Sequence, residues 1–138
     1  MHSSFIALFL LISFSASSIG SLQNITVKGQ VICNMHTVPN ARVDLREHDS
    51  FSFDDSLKVI HTDKDGKFEV FGTHDEITTI SPYLRILHNC DVPKQSGKHK
   101  CLRQTDLEIP KSKVGTVFDM NFINMDIKGH KEKVICDF

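Results

Sequence analysis

Eight histidines and four cysteines are the residues of this 138-residue chain with the most chemistry to offer. Imidazole and thiolate groups hold zinc when they recur at short spacings such as C-x-x-C, H-x-x-x-H or H-E-x-x-H, because a turn or helix then brings both to one ion. No such spacing occurs: His36, His48, His61, His74, His99 and His130 stand singly in or beside loops. His88 shares an alternating face with Leu84, Ile86 and Cys90, which is the position of a core histidine satisfied by its neighbours. Asp63-Lys64-Asp65-Gly66 begins like a calcium loop, but Gly72 stands where the terminal Glu should be, so a hairpin turn explains it better. No serine sits in G-x-S-x-G. These patterns predict no catalytic residue, no metal site and no cofactor.

The cysteines take their meaning from the compartment. Residues 1–20 read MHSSFIALFLLISFSASSIG. A ten-residue apolar run from Phe5 to Phe14, followed by small residues, matches a secretory signal peptide cleaved near Gly20. The expected division is therefore a signal peptide over 1–20 and one domain over 21–138. In an oxidising compartment, Cys33, Cys90, Cys101 and Cys136 read as two disulfides. Four cysteines allow three connectivities. Cys90 and Cys101 flank a polar ten-residue loop, which suits a bridge closing that hairpin and leaves Cys33 with Cys136. Asn24-Ile25-Thr26 becomes a glycosylation sequon in the same context.

Charge divides the chain. Net charge is −1, which gives no overall attraction to nucleic acid. Residues 44–76 nevertheless hold ten acidic against four basic residues, and 94–113 hold six basic against two acidic. The basic set is Lys94, Lys98, Lys100, Arg103, Lys111 and Lys113, and it is the expected partner-binding surface, suited to an anionic group. No apolar stretch reaches the ~18–20 residues of a membrane span.

The elements that would carry these residues alternate with period two. Ile25 to Cys33, Ala41 to Leu45, Leu57 to His61, Phe68 to Val70, Leu84 to Cys90, Cys101 to Ile109, Val117 to Ile127 and Lys133 to Cys136 read as strands. Gly72 is expected to end the fourth, residues 73–79 to be irregular or briefly helical, and 47–56 and 91–100 to be loops. Phe118, Met120 and Phe122 are expected on one face. About seven or eight short strands with regular turn signals make an all-β sandwich.

One run is more specific than the periodicity: Ile80-Ser81-Pro82-Tyr83-Leu84-Arg85-Ile86-Leu87-His88-Asn89-Cys90. With Val27-Lys28-Gly29-Gln30-Val31-Ile32-Cys33, Thr62-Asp63-Lys64-Asp65-Gly66-Lys67-Phe68, Ile109-Pro110 and the four-cysteine layout, it resembles the nematode transthyretin-like family over about residues 26–136. The resemblance implies a Greek-key β-sandwich of transthyretin (prealbumin) type, secretion, and no established catalytic activity. The family's cysteine layout is similar to the pairing suggested above. The fold's enzymatic branch, the hydroxyisourate hydrolases, carries a His in the first strand motif and ends in Tyr-Arg-Gly-Ser. Here Val27 to Val31 holds no His and the chain ends Val134-Ile135-Cys136-Asp137-Phe138, so that activity is not expected. The same departures speak against a hormone-binding channel between subunits. The functional expectation is a secreted extracellular binding module for a small apolar ligand, a lipid head group or a cell-surface protein. A structural protein pairing through sheet edges is the remaining alternative.

Overall fold

A computed structural model describes residues 20–92 and 100–136. The signal peptide expected over 1–20 therefore lies outside the described residues but for Gly20, as do Lys94, Lys98 and His99.

Among the described residues the alternating segments form nine strands. They are β1 (Ser21–Cys33), β2 (His36–Thr37), β3 (Arg42–Glu47), β4 (Asp55–His61), β5 (Lys67–Glu76), β6 (Pro82–His88), β7 (Cys101–Glu108), β8 (Val117–Asn124) and β9 (Lys131–Cys136). One sheet pairs β1 antiparallel with β5 and the short β2, and parallel with β8. The other has the order β4-β3-β6-β7-β9, with every neighbour antiparallel. The two stack as the expected Greek-key β-sandwich. Ile25, Val27 and Val31 of β1 and Val70 of β5 meet Val43, Leu45, Leu84 and Ile86 of the opposite sheet, all fully or almost fully buried.

Asp63 explains why the β4–β5 connection is tight. Its Oδ1 accepts the backbone N–H groups of Asp65 at 2.8 Å and Lys67 at 2.9 Å. Gly66 completes the turn at φ +75°, where a Cβ would lie 2.6 Å from the Val31 carbonyl oxygen. Thr62 is buried beside it, its hydroxyl donating to the Val38 carbonyl at 2.7 Å and accepting the Ala41 N–H at 2.8 Å. The calcium-like sequence is thus a turn whose first carboxylate is occupied by its own backbone.

Two expectations are corrected. Gly72 does not end β5, which runs on to Glu76 because β1 starts early enough to pair with it, Ser21 opposite Glu76. Gly72 is there for a close approach: a Cβ would lie 2.8 Å from Leu45 Cδ2 and 3.0 Å from Leu57 Cβ, so its absence lets β5 lie on the β3–β4 hairpin. The second correction is Phe122, which does not share the face of Phe118 and Met120. Asn121 sits at φ +57° in a bulge where the β1–β8 register shifts. An extra residue reverses the alternation. Ile123 turns inward, and Phe122 is left 70% exposed.

Gly66→Ala is expected to destabilise the fold by about 2 kcal/mol or more, from the left-handed backbone and the carbonyl clash together. Urea unfolding with an unchanged m-value would register it, and an unaltered midpoint would show that the turn can relax.

Candidate functional site

Three groups of polar side chains are built into the sandwich, one at each end and one on an outer face. The first surrounds His88 at the end of β6. The Cys90 N–H donates to His88 Nδ1 at 3.1 Å, so Nδ1 is the acceptor and the ring proton sits on Nε2, which donates to Thr105 Oγ1 at 2.8 Å. The Thr105 hydroxyl continues at 3.4 Å to Glu132 Oε1. Glu132 pairs with Arg103, whose other amino group donates to the Cys90 carbonyl at 2.7 Å. The hydrogen bonds therefore close into a circuit. Burial, helped by the neighbouring Arg103 charge, pushes the imidazole pKa down to about 4. Arg103 holds the Glu132 carboxyl below its ordinary range.

The disulfides lie beside this circuit. They join Cys33 to Cys90 and Cys101 to Cys136, not Cys90 to Cys101 and Cys33 to Cys136 as the loop length suggested. Strand register is the reason. Cys101 and Cys136 are direct partners on β7 and β9, and Cys33 ends β1 over Cys90, so one bridge staples neighbouring strands and the other staples the two sheets. Sequence separations of 57 and 35 residues make each worth about 4 kcal/mol in the loop-entropy account.

The second group is centred on Tyr83, on the outer face of the five-stranded sheet. Its hydroxyl donates to Asp54 Oδ2 at 2.8 Å and accepts from Arg46 Nε at 2.9 Å. His48 stacks on the ring at 4.1 Å, and the Arg46 and Arg85 guanidinium groups lie about 6 Å from its centre. Asp44 and Asp106 neutralise those arginines at 2.9 Å. Burial opposes the Asp54 charge, but the Asp49 N–H and Tyr83 hydroxyl outweigh it and hold its carboxyl below the usual range. The residues following β3 thus fold back over Tyr83, which is fully buried although it points away from the core.

The third group lies at the other end of the sandwich. Glu47 ends β3 and faces Asp55, which begins β4. His74 and Glu76 share a face of β5 two residues apart. His74 Nε2 lies 2.9 Å from Glu76 Oε1, 3.3 Å from Glu47 Oε2 and 3.6 Å from Asp55 Oδ2. Glu47 is only 5% exposed, and its Oε2 has no hydrogen-bond partner. Burial, against the attraction of His74, raises its carboxyl pKa. Sequence reasoning missed this group because residues 73–79 read as irregular. Taken as a strand, His74-x-Glu76 would have placed both side chains on one face.

The described basic residues, Lys100, Arg103, Lys111 and Lys113, do not make one surface. Arg103 is corrected from partner-binding to structural: it is buried and committed to Glu132 and Cys90. Lys100 precedes β7 and Lys111 and Lys113 follow it, so eight strand residues, about 25 Å, separate them. Lys113 lies 5.2 Å over the Phe118 ring. Asn24 is exposed on β1, within a paired strand rather than a free terminus.

Residues 28–110 match the sequence profile of the transthyretin-like family. The chain belongs to the transthyretin-like family. Transthyretin-like protein 16 of Caenorhabditis elegans is 38% identical over 96% of this chain and 98% of its own. Transthyretin-like protein 1 of the same nematode is 36% identical over 76% of this chain and 70% of its own. Transthyretin-like protein 33 is 33% identical over 94% and 92%. In this transthyretin-like chain the most specific run of the sequence, Pro82 to Cys90, supplies both Tyr83 on the outer face and His88 on the inner one.

The His88 circuit sets a pH dependence. Unfolded, the imidazole takes its proton near 6.5; folded, only near about 4. Between those values the unfolded chain binds the extra proton, so stability falls as pH drops through that window, by up to about 3 kcal/mol. Glu47, with its raised carboxyl pKa, acts in the opposite direction. The diagnostic is therefore the difference between wild type and His88→Asn in urea unfolding at about pH 7 and about pH 4.5. The variant is expected to lose distinctly less stability on acidification, and equal losses would mean that His88 does not carry the effect.

Proposed function

We propose that this transthyretin-like domain is a secreted, non-catalytic binding module that docks on an extracellular protein through the loop between β3 and β4. The observation that carries the reading is the state of Phe51 and Phe53, 100% and 94% exposed on a loop whose backbone is pinned. Asp49 accepts the Phe51 N–H at 2.9 Å and the Ser52 hydroxyl at 2.7 Å. Asp54 accepts the Asp49 N–H at 3.1 Å and is itself fixed by Tyr83. The two rings are thus held outward on a scaffold anchored in the outer-face network. Ile77, 83% exposed, stands at the same end of the sandwich, where the His48 N–H reaches the Ser81 carbonyl. Rigid exposed aromatics are the side chains from which protein contacts draw most of their energy.

Charge selects the class of partner. The rings are flanked by Asp49, Asp54 and Asp55, which repel an anionic lipid head group and suit an apolar pocket with a basic rim. The leader-like residues 1–20 and the two disulfides support secretion. Non-catalysis is supported by the side chains of the His88 and Tyr83 groups being committed to one another.

Mass spectrometry of the secreted product is expected to give an N-terminus at Ser21 and disulfide-linked peptides Cys33–Cys90 and Cys101–Cys136. A retained leader would remove the support for secretion. Labelled protein is then compared with the Phe51→Ser/Phe53→Ser variant for binding to nematode cell surfaces. The double variant is expected to bind at least about tenfold more weakly with an unchanged melting temperature. Protease treatment of the surface should abolish wild-type binding, and vesicles of phosphatidylserine and phosphatidylcholine should not capture the protein. A Lys100→Glu/Lys111→Glu/Lys113→Glu variant that loses binding while the phenylalanine variant keeps it would move the contact to the basic residues and overturn this reading.

A further inference from the structure

We infer that Glu47, Asp55, His74 and Glu76 form a binding site for a divalent transition-metal ion, with zinc the best chemical match. The four come from three strands, yet an oxygen of each of the three carboxylates lies beside His74 Nε2. Tetrahedral zinc with ligand bonds of about 2.0–2.1 Å places its ligand atoms about 3.3–3.4 Å apart. The three carboxylate oxygens lie 2.9, 3.3 and 3.6 Å from His74 Nε2, a spread about that spacing. The ligating atoms of Glu47, Asp55 and His74 all fall within 4.8 Å of one another.

Hydrogen bonding alone leaves this group incomplete. His74 Nε2 can carry one proton, and its hydrogen bond goes to Glu76 at 2.9 Å. Glu47 is 5% exposed, and its Oε2 points at the same nitrogen with no hydrogen to accept. An orphaned oxygen on a buried carboxylate is costly, and a cation would satisfy it. Three carboxylates against one imidazole also leave an excess of negative charge, which a divalent ion would neutralise. One nitrogen and three oxygens are donors of intermediate hardness. That small donor set favours zinc over calcium, which takes six to eight oxygens.

A metal here would have a mechanical consequence. Glu47 and Asp55 bracket residues 48–54, and His74 and Glu76 belong to the opposite sheet. One ion would close the neck of that loop and tie it to β5. The site stands whether or not Phe51 and Phe53 contact a partner.

The test uses the full secreted protein without an affinity tag, stripped with chelator and titrated with zinc chloride by calorimetry, with melting temperature as a second readout. The expected result is one zinc per chain and a higher melting temperature, with calcium and magnesium chloride producing neither. His74→Ala and Glu47→Gln should each weaken zinc at least about tenfold. Glu47→Gln is the decisive variant: it removes a buried carboxylate whose Oε2 has no hydrogen-bond partner, so the metal-free protein is expected to stay folded and melt no lower than wild type. His61→Ala, far from the cluster on β4, should leave binding intact. Failure of the wild type to take up zinc, or uptake unchanged by Glu47→Gln and His74→Ala, would overturn the site.

Discussion

The structure depends on keeping one buried imidazole neutral. His88 lies on the inner face of the five-stranded sheet, where a charge would have no water. Every hydrogen bond around it assumes the neutral ring: Nδ1 accepts from Cys90, Nε2 donates to Thr105, and Glu132 and Arg103 return the circuit to Cys90. A second proton would have to go on Nδ1 and displace the Cys90 N–H. That residue is also one end of the bridge between the sheets, and Arg103 and Glu132 stand on the strands joined by the other bridge. A fully satisfied polar network is rigid, and a half-satisfied one costs more than an apolar core would. The circuit and the disulfides therefore reinforce each other: the bridges hold the backbone at the spacing the hydrogen bonds need, and the hydrogen bonds fix the cysteines.

Most of the fold was legible because alternation is a local signal. The strands from Ile25, Arg42, Pro82 and Cys101 follow directly from apolar side chains recurring every second residue. The misread positions share a cause, since each depends on another strand. Gly72 looks like a terminator until Leu45 and Leu57 are seen beneath it. Phe122 belongs with Phe118 until Asn121 is seen to bulge against β1. The disulfide pairing followed loop length, whereas the actual pairs follow inter-strand register and the stacking of the sheets.

The sites were harder to read than the fold for the same reason. Arg103 reads as one more cation in a basic stretch, and only the approach of β9 shows it bound to Glu132. Tyr83 stood out as part of a motif, but its role, holding Asp54 and with it residues 48–54, needs the fold-back of a loop that composition could only describe as acidic and serine-rich. Glu47, Asp55, His74 and Glu76 are ordinary surface residues by type. Their spacing in sequence carries no metal signature, because the spacing that matters runs across two sheets.

The two ends of the sandwich are built on opposite principles. At the His88 end covalent bridges and a closed hydrogen-bond circuit remove freedom, and the polar atoms are paired. At the other end no bridge spans the sheets. The β3–β4 loop is held instead by the carboxylates of Asp49 and Asp54 within it and by the backbone pairing of Glu47 with Asp55 at its neck. Hydrogen bonds to carboxylates are reversible where a disulfide is not, so this end can rearrange without breaking a covalent bond. The same end carries two exposed phenylalanines and the one buried side-chain oxygen, among the described residues, that has no hydrogen-bond partner. Exposed apolar surface and an unsatisfied buried charge are both unfavourable in a free domain. Their coincidence at the end without a covalent staple suits the docking and metal binding proposed above: apolar surface and a buried oxygen that contact with something else would satisfy, on a scaffold whose opposite end keeps the fold intact while it does.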